Sequence, residues 1–217
     1  QNAGGMKNPG YSYKFVYASL KLYSMYESEG DTVRGNWNIT PYEYVFATTG
    51  SKQVTGRNYY YGKRPAGLTT VEGMPCTEMT QSASNANKTR CAAKYRRELE
   101  VVLPKNKNYT SINFPILRYS DVLLMIAEAE NEINSAPTAL AYECLNTVRE
   151  RANIAKYDAG ALDKDTFREA VKKERAMELC FEGIRRWDLI RWGDFYKDMQ
   201  ATRSMVNEPG WGANYKY

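Results

Sequence analysis

The second half of the chain carries apolar residues at helical spacing in three consecutive segments. The first segment runs from about residue 119 to residue 134, and its apolar stripe consists of Val122, Ile126, Ala129 and Ile133. Residues at this spacing share one face of an α-helix, so the stripe is predicted to be buried, with Asn131 on the polar side. Because only Ser135-Ala136-Pro137 separates it from the second segment, the two helices are predicted to form an antiparallel hairpin.

Two further helices are predicted from the same spacing. The second ends near Ala152, and its stripe consists of Leu140, Cys144 and Val148. The third starts near Asp163 or Asp165, which are both suitable N-cap residues. Its stripe consists of Phe167, Val171, Met177 and Phe181. Gly183 is predicted to end it, since glycine readily adopts the left-handed conformation that follows many helices.

Residues 1–114 have a different character, with many tyrosines, glycines and polar loop residues. The patterns here predict one short helix and two short strands, at Leu20–Tyr26, Tyr42–Ala47 and Leu99–Leu103. Residues 196–217 are expected to be an irregular tail. The sequence therefore predicts a mainly α fold, with tetratricopeptide-like helix hairpins in residues 115–195 and an irregular, loop-rich subdomain with short strands in residues 1–114.

The composition excludes several kinds of site. The 217 residues include no histidine, which rules out histidine-based triads, general bases and metal sites. The four cysteines form no CxxC pair, so a zinc ribbon is not expected. Cys76 and Cys91 flank a polar loop and are either thiols or, in an oxidising compartment, a disulfide. The net charge of +5 is too small to indicate nucleic-acid binding, and no cofactor is expected.

Membrane attachment through a helix of this chain is not expected. No apolar run approaches the ~20 residues that a membrane-spanning helix needs. The first five residues, Gln1-Asn2-Ala3-Gly4-Gly5, have neither the basic start nor the apolar stretch of a signal peptide. We therefore expect the chain to be part of a longer protein that carries the targeting information elsewhere.

Three glutamates, Glu174, Glu178 and Glu182, recur every four residues on the third predicted helix. A glycosidase needs two carboxylates that face each other across a cleft, roughly 5–9.5 Å apart. These three point to the same side of a helix, and four arginines close in the sequence would keep them ionised, namely Arg175, Arg185, Arg186 and Arg191. We interpret the glutamates as members of structural ion pairs and expect no catalytic or metal-binding residue.

Four segments resemble the SusD-like (RagB/SusD) family. Residues 114–130, FPILRYSDVLLMIAEAE, are similar to the family pattern pilRyaDvlLmyAEA, and residues 145–152, LNTVRERA, are similar to lN.vR.RA. Residues 174–193, ERAMELCFEGIRRWDLIRWG, resemble ERr.ELafEG.R..DLiRwG, which is the most specific of the four. Residues 30–34, GDTVR, are similar to a DgDpR turn. The segments occur in the family's order and spacing.

The resemblance implies a SusD-like fold, of which residues 1–217 would be the C-terminal portion of a single domain. It also implies a protein at the bacterial cell surface that is held on the outer membrane by an N-terminal lipid anchor absent from this chain. Such a protein captures oligosaccharides and delivers them to a SusC-like TonB-dependent transporter, and is not an enzyme. Capture of oligopeptides and a non-binding helical scaffold are the alternatives. The motif residues expected to hold the helices together are Arg118, Asp121, Glu128, Arg149, Glu174, Arg175, Glu178, Glu182, Arg185, Asp188 and Arg191.

Aromatic residues are the candidates for ligand binding, because the apolar face of a sugar ring stacks on an aromatic plane. The candidates in regions predicted as loops are Trp37, Tyr59, Tyr60, Tyr61, Tyr11 and Trp211. Each of them has packing in a core or an interface as its alternative role. Trp187 and Trp192 lie inside the third motif and are expected to be structural.

Overall fold

The structure is a computed structural model that describes residues 16–46, 54–80, 90–106 and 108–207, with the side chains of residues 205–207 excepted. The first elements in chain order are α1 (Leu20–Glu29), α2 (Thr32–Asn38), β1 (Tyr42–Phe46), β2 (Val54–Tyr59), β3 (Thr70–Val71), β4 (Met74–Glu78) and a 3-10 turn at Arg97–Leu99. The remaining elements are α3 (Tyr119–Ile133), α4 (Ala139–Arg151), α5 (Lys164–Glu178), α6 (Arg185–Arg191) and α7 (Phe195–Asn207). The predicted mainly α class is confirmed.

The chain divides into two compact units. The described residues of 16–20 and 36–113 form one unit, and residues 21–35 with residues 114–207 form the other. Residues 21–35 therefore belong with the helices and not with the loop-rich subdomain, to which the sequence pattern assigned them. One reason is that the hydroxyl of Tyr26 on α1 donates a 2.6 Å hydrogen bond to the carbonyl oxygen of Met177 on α5.

The helical unit is built on the α3–α4 hairpin, which packs against α5. α3 ends at Ile133, α4 begins at Ala139, and the two helices pack against each other along their length, as expected of an antiparallel hairpin. The core of the unit includes Leu124, Leu145, Val148 and Phe167, which are all fully or almost fully buried. Burial of aliphatic and aromatic side chains of this size contributes about 1.5–3 kcal/mol each before the entropy of ordering is subtracted.

The buried face of α3 is not the one that was predicted. Leu123, Leu124 and Ala127 are buried, whereas Ile133 of the predicted stripe is 77% exposed. Asn131 lies inside and donates a 2.9 Å hydrogen bond to the carbonyl oxygen of Lys164. Both sets of apolar residues have helical spacing, so the sequence of α3 presents two apolar stripes, and packing against α4 and α5 determines which is buried. The stripe on α4 is correct except for Leu140, which is exposed.

The third predicted helix begins where expected and ends earlier. Asp163 is its N-cap, and its carboxylate accepts a 2.8 Å hydrogen bond from the backbone N–H of Thr166. The helix ends at Glu178, because Phe181 has a φ of 63° and Gly183 a φ of 77°, both in the left-handed region. The predicted continuation to Phe181 is therefore wrong.

The other unit contains a small sheet with the strand order β1-β2-β4-β3. β1 and β2 are antiparallel, with Tyr42 opposite Tyr59, and β2 and β4 are parallel. The predicted strand at Leu99–Leu103 is wrong. This segment instead surrounds the buried carboxylate of Glu100, which accepts hydrogen bonds from Arg97 and from the backbone N–H of Ser111.

The predicted irregular tail is also wrong for residues 196–207, which belong to α7. These residues include no glycine or proline, so the backbone has no local reason to leave the helical conformation. Gly193, with a φ of 74°, separates α7 from α6. In the ranges that the structure describes, none of the helices has the length and apolar character needed to cross a membrane.

Candidate functional site

The motif residues meet in a buried network of ion pairs around α5 in the helical unit. Glu174 is fully buried and accepts hydrogen bonds from Nη1 of Arg34 at 2.6 Å and from Nη1 of Arg149 at 3.0 Å. Arg149 also pairs with Glu29 of α1 at 2.8 Å. Through these contacts, one carboxylate on α5 connects residues of α1, α2 and α4.

Glu178, one helical turn later, is bound by three arginines. Nη1 of Arg118 donates at 2.9 Å, Nη1 of Arg34 donates at 3.1 Å, and Arg151 donates through a short contact. Burial by itself would raise the pKa of this carboxyl group, but the arginine partners outweigh it and lower the pKa to about 2. Glu178 is therefore ionised at neutral pH and has no proton to donate as a general acid.

A second group of ion pairs connects α3, α5 and α6. Arg175 donates to Asp121 at 2.8 Å and to both carboxylate oxygens of Asp188, at 2.8 and 3.1 Å. Arg191 donates to Asp188 and to Glu128. All three carboxylates thus accept hydrogen bonds from a guanidinium group.

Trp192 is held beside this second group. Its Nε1–H donates a 2.8 Å hydrogen bond to Glu128, and the guanidinium of Arg191 lies 4.6 Å from the ring centroid. Arg185 lies 5.5 Å from the same centroid and donates to the carbonyl oxygen of Lys172 at 3.1 Å. Trp192 is therefore packed into the structure, in agreement with the expectation from its motif.

The partners of the three glutamates differ from those expected. Arg175 and Arg191, which were expected to neutralise them, pair with aspartates and Glu128. The arginines that bind Glu174, Glu178 and Glu182 come from other elements, namely Arg34, Arg118, Arg149 and Arg151. The reason is geometric, since Arg175 follows Glu174 directly and points about 100° around the helix from it.

The network has the character of a structural element and not of a reaction centre. Each carboxylate in it accepts hydrogen bonds from arginine donors that are fixed by packing. Loss of one partner of such a buried ion pair strongly destabilises the folded protein, because it leaves a buried charge without compensation. Within the described parts of the chain, no group of three or more cysteine, aspartate or glutamate side chains is arranged to hold a metal ion.

Trp37 is an exposed aromatic candidate whose ring and backbone are both contacted by a neighbouring side chain. It lies in the last turn of α2, and 46% of its surface is exposed. The guanidinium of Arg96 lies over the ring, with Cζ 4.9 Å from the centroid. Nη2 of Arg96 also donates to the carbonyl oxygens of Asn36 and, at 3.0 Å, of Trp37 itself. The ring therefore projects from a backbone that a neighbouring side chain fixes.

Only one of the three consecutive tyrosines presents its ring. Tyr59 is buried in β2, and Tyr60 is 1% exposed, with its hydroxyl donating to Glu43. Burial of both rings, Tyr59 against Tyr42 and Tyr60 beside the guanidinium of Arg90, does not favour stacking on a ligand, and their part in ligand binding stays a prediction. Tyr61 is 54% exposed and precedes Gly62, whose φ of 70° marks the turn after β2.

The other aromatic candidates have different outcomes. Tyr11 and Trp211 lie outside the described residues and stay predictions. Trp187 was expected to be structural, and its side chain is 66% exposed on α6, so it is not part of the core of the helical unit.

Sequence reasoning missed a polar and aromatic cluster beside Trp37. The hydroxyl of Tyr42 donates to Glu98 at 2.7 Å, and the guanidinium of Arg57 lies 4.1 Å from the Tyr42 ring centroid. Arg96 joins the cluster, since its Nη1 lies 3.5 Å from Glu98. Burial, together with the charge of Glu98, raises the pKa of Tyr42. The available signal was the run Lys94-Tyr95-Arg96-Arg97, but a short basic run of this kind is typical of any solvated or ion-paired surface and does not by itself indicate a site.

Comparisons with known proteins agree with these motifs. The family model described as "SusD family" matches residues 21–209. SusD-like protein P25 of Formosa agariphila is 44% identical over 95 residues, which are 42% of this chain and 18% of that protein. SusD-like protein P2 of the same organism is 30% identical over 152 residues, which are 67% of this chain and 30% of that protein.

A solved structure gives the same result for the fold. The crystal structure of a SusD homolog from Bacteroides thetaiotaomicron superimposes with a TM-score of 0.64 at 28% sequence identity. The match covers 91% of this chain and 38% of that one, so the chain spans well under half the length of the proteins it matches. With the motifs, the fold and the family model in agreement over most of its residues, the chain belongs to the SusD family.

Proposed function

We propose that the intact protein captures oligosaccharides at the bacterial cell surface and delivers them to a SusC-like TonB-dependent transporter in the outer membrane. Membership of the SusD family supports this role, since the family implies nutrient or glycan binding together with such a transporter. In this proposal the protein is lipid-anchored to the outer membrane and carries out no reaction on its ligand.

The observation that carries the proposal is the half-exposed indole ring of Trp37 on a fixed backbone. A pyranose ring has a face of C–H groups that stacks on an aromatic plane and buries apolar area without a deep pocket. One such contact is worth about 1–2 kcal/mol by analogy with aromatic pairs and area burial. Tyr61 offers a second exposed ring, and Tyr11 and Trp211 stay candidates.

A binding screen of the intact protein tests the proposal. The protein is applied to a glycan array and, in parallel, to an array of oligopeptides of mixed sequence. The expected result is selective binding to a related group of oligosaccharides. Binding to peptides alone would replace glycan capture with oligopeptide capture, and binding to neither array would support a helical scaffold instead.

A further inference from the structure

We propose that Arg96 is the positioning residue of the ligand surface, and that it covers one face of Trp37 so that the opposite face receives a single sugar ring. This inference rests on the proposed function, because it gives Arg96 a task at the same site. Arg96 itself is not expected to contact the sugar, since only 15% of its side chain is exposed.

The contacts of Arg96 fix both the backbone and the ring of Trp37. The last carbonyl oxygens of an α-helix have no partners within the helix. Here Nη2 of Arg96 binds the carbonyl oxygens of Asn36 and Trp37, and its Nε donates to the carbonyl oxygen of Ala93 at 3.3 Å. The same guanidinium plane covers the indole at 4.9 Å, which is within the range of a cation–π interaction.

Two backbone contacts further fix the end of α2, which carries Trp37. The N–H of Ala93 donates to the carbonyl oxygen of Asn38 at 2.8 Å, and Ile39 pairs with Ala92 in an isolated β-bridge. The end of α2 is therefore attached to the segment that carries Arg96. Movement of the backbone that carries the ring would break several hydrogen bonds at once.

Arg96 is itself held in place by the carboxylate of Glu98. Its Nη1 lies 3.5 Å from the carboxylate of Glu98, which also accepts the hydroxyl of Tyr42 and lies 3.6 Å from Arg57. A planar, five-donor guanidinium satisfies these contacts and the ring face together, whereas the ammonium group of lysine does not. The geometry thus points to a preorganised, one-sided aromatic platform, which lowers the entropy lost on binding.

Two measurements on the intact protein test this role. The first measurement needs no ligand and follows the quenching of Trp37 fluorescence by acrylamide. The Trp37 signal is the difference in fluorescence between a protein and the same protein with Trp37→Phe. It is compared among the unaltered protein, Arg96→Ala and Arg96→Lys. The second is the dissociation constant for the tightest-binding oligosaccharide of the glycan array. Arg97→Ala is the matched control, because the neighbouring Arg97 binds Glu100 and the carbonyl oxygens of Asn106 and Tyr109 instead.

We expect Arg96→Ala to increase the quenching of Trp37 and to weaken oligosaccharide binding about tenfold, and Arg96→Lys to recover only part of the loss. Because Arg96 acts through Trp37, adding Arg96→Ala to Trp37→Ala should cause no further loss of affinity. Equal losses with and without the indole ring, or unchanged quenching, would overturn the inference. If Trp37→Ala itself binds as tightly as the unaltered protein, the proposed function at this ring fails. If it binds more weakly while Arg96→Ala does not, only the positioning role fails.

Discussion

Arg118 and Glu182 form a two-point ion pair, in which Nε donates to Oε2 at 2.9 Å and Nη2 donates to Oε1 at 2.8 Å. The same guanidinium also binds the side chain and the carbonyl oxygen of Glu178. One side chain at the start of α3 therefore satisfies groups at the end of α5 and in the turn that follows. Such parallel hydrogen bonds require the planar fork of arginine.

Replacement of Arg118 tests how much this contact contributes to the free energy of unfolding. Arg118→Ala leaves two largely buried carboxylates with fewer donors, so we expect the free energy of unfolding to fall by about 3–5 kcal/mol. Arg118→Lys keeps the charge and should recover only part of this loss. Urea denaturation measures both. Arg168→Ala is the control, because Arg168 binds Glu132 at the surface, where an ion pair contributes about 0–1 kcal/mol. Similar losses at the two arginines would contradict the special role of Arg118.

The low pKa of Glu178 predicts how stability depends on acid. The folded-state pKa of about 2 lies below the ordinary value of 4.5, so the ionised carboxylate stabilises the fold above pH 4.5. This contribution, on the order of 3 kcal/mol, is lost as the pH falls from about 4.5 towards 2. Glu178→Gln should be less stable at pH 7 and should lose less stability over that interval. Melting temperatures measured from pH 7 to pH 2 check this, and parallel curves for the two proteins would contradict it.

The two apolar faces of α3 predict opposite results for two aliphatic substitutions. Leu124→Ala removes a fully buried side chain and should cost about 2–5 kcal/mol of unfolding free energy. Ile133→Ala, on the exposed face, should change stability by about 0.5 kcal/mol or less. Thermal denaturation of both variants is sufficient. A larger loss for Ile133→Ala would mean that the stripe predicted from the sequence is the buried one.

Replacement of Gly183 should destabilise the fold because of its left-handed backbone conformation and not because of a steric clash with neighbouring atoms. Its φ of 77° is strained for other residues, while a Cβ added there would meet nothing within 4 Å. Gly183→Ala should therefore cost about 1–2 kcal/mol. Gly183→Asn should cost less, since asparagine tolerates the left-handed conformation better. If alanine and asparagine cost the same, the strain is not confined to the backbone.

Local patterns in the sequence were sufficient to place α3, α4 and the start of α5, but not α2 or α7. The spacing of apolar residues located α3, α4 and α5, and Asp163 marked the start of α5, because these signals act within a few residues. The buried face of α3 was not predictable in the same way. Leu124 and Ile126 both belong to stripes of helical spacing, and only the positions of α4 and α5 decide between them.

The candidate site was less predictable, because its contacts join distant parts of the chain. Arg34 binds Glu174 across 140 positions, and Arg96 covers Trp37 across 59. Side chains of this kind carry no local sign of their partner. The role of Tyr60 was equally hard to predict, since a tyrosine next to a loop is suited either to bind a ligand or to pack in a core.

Isothermal titration of the intact protein with its array-selected oligosaccharide tests glycan capture at Trp37 most directly. Trp37→Ala should bind about tenfold more weakly, since loss of one stacked ring corresponds to about 1.4 kcal/mol. Trp187→Ala is the matched control, because it removes an equally large and even more exposed ring from the helical unit and should leave the affinity unchanged. Melting temperatures recorded alongside exclude a loss of fold as the cause. Unchanged affinity in Trp37→Ala, or the same loss in Trp187→Ala, would contradict capture at this ring.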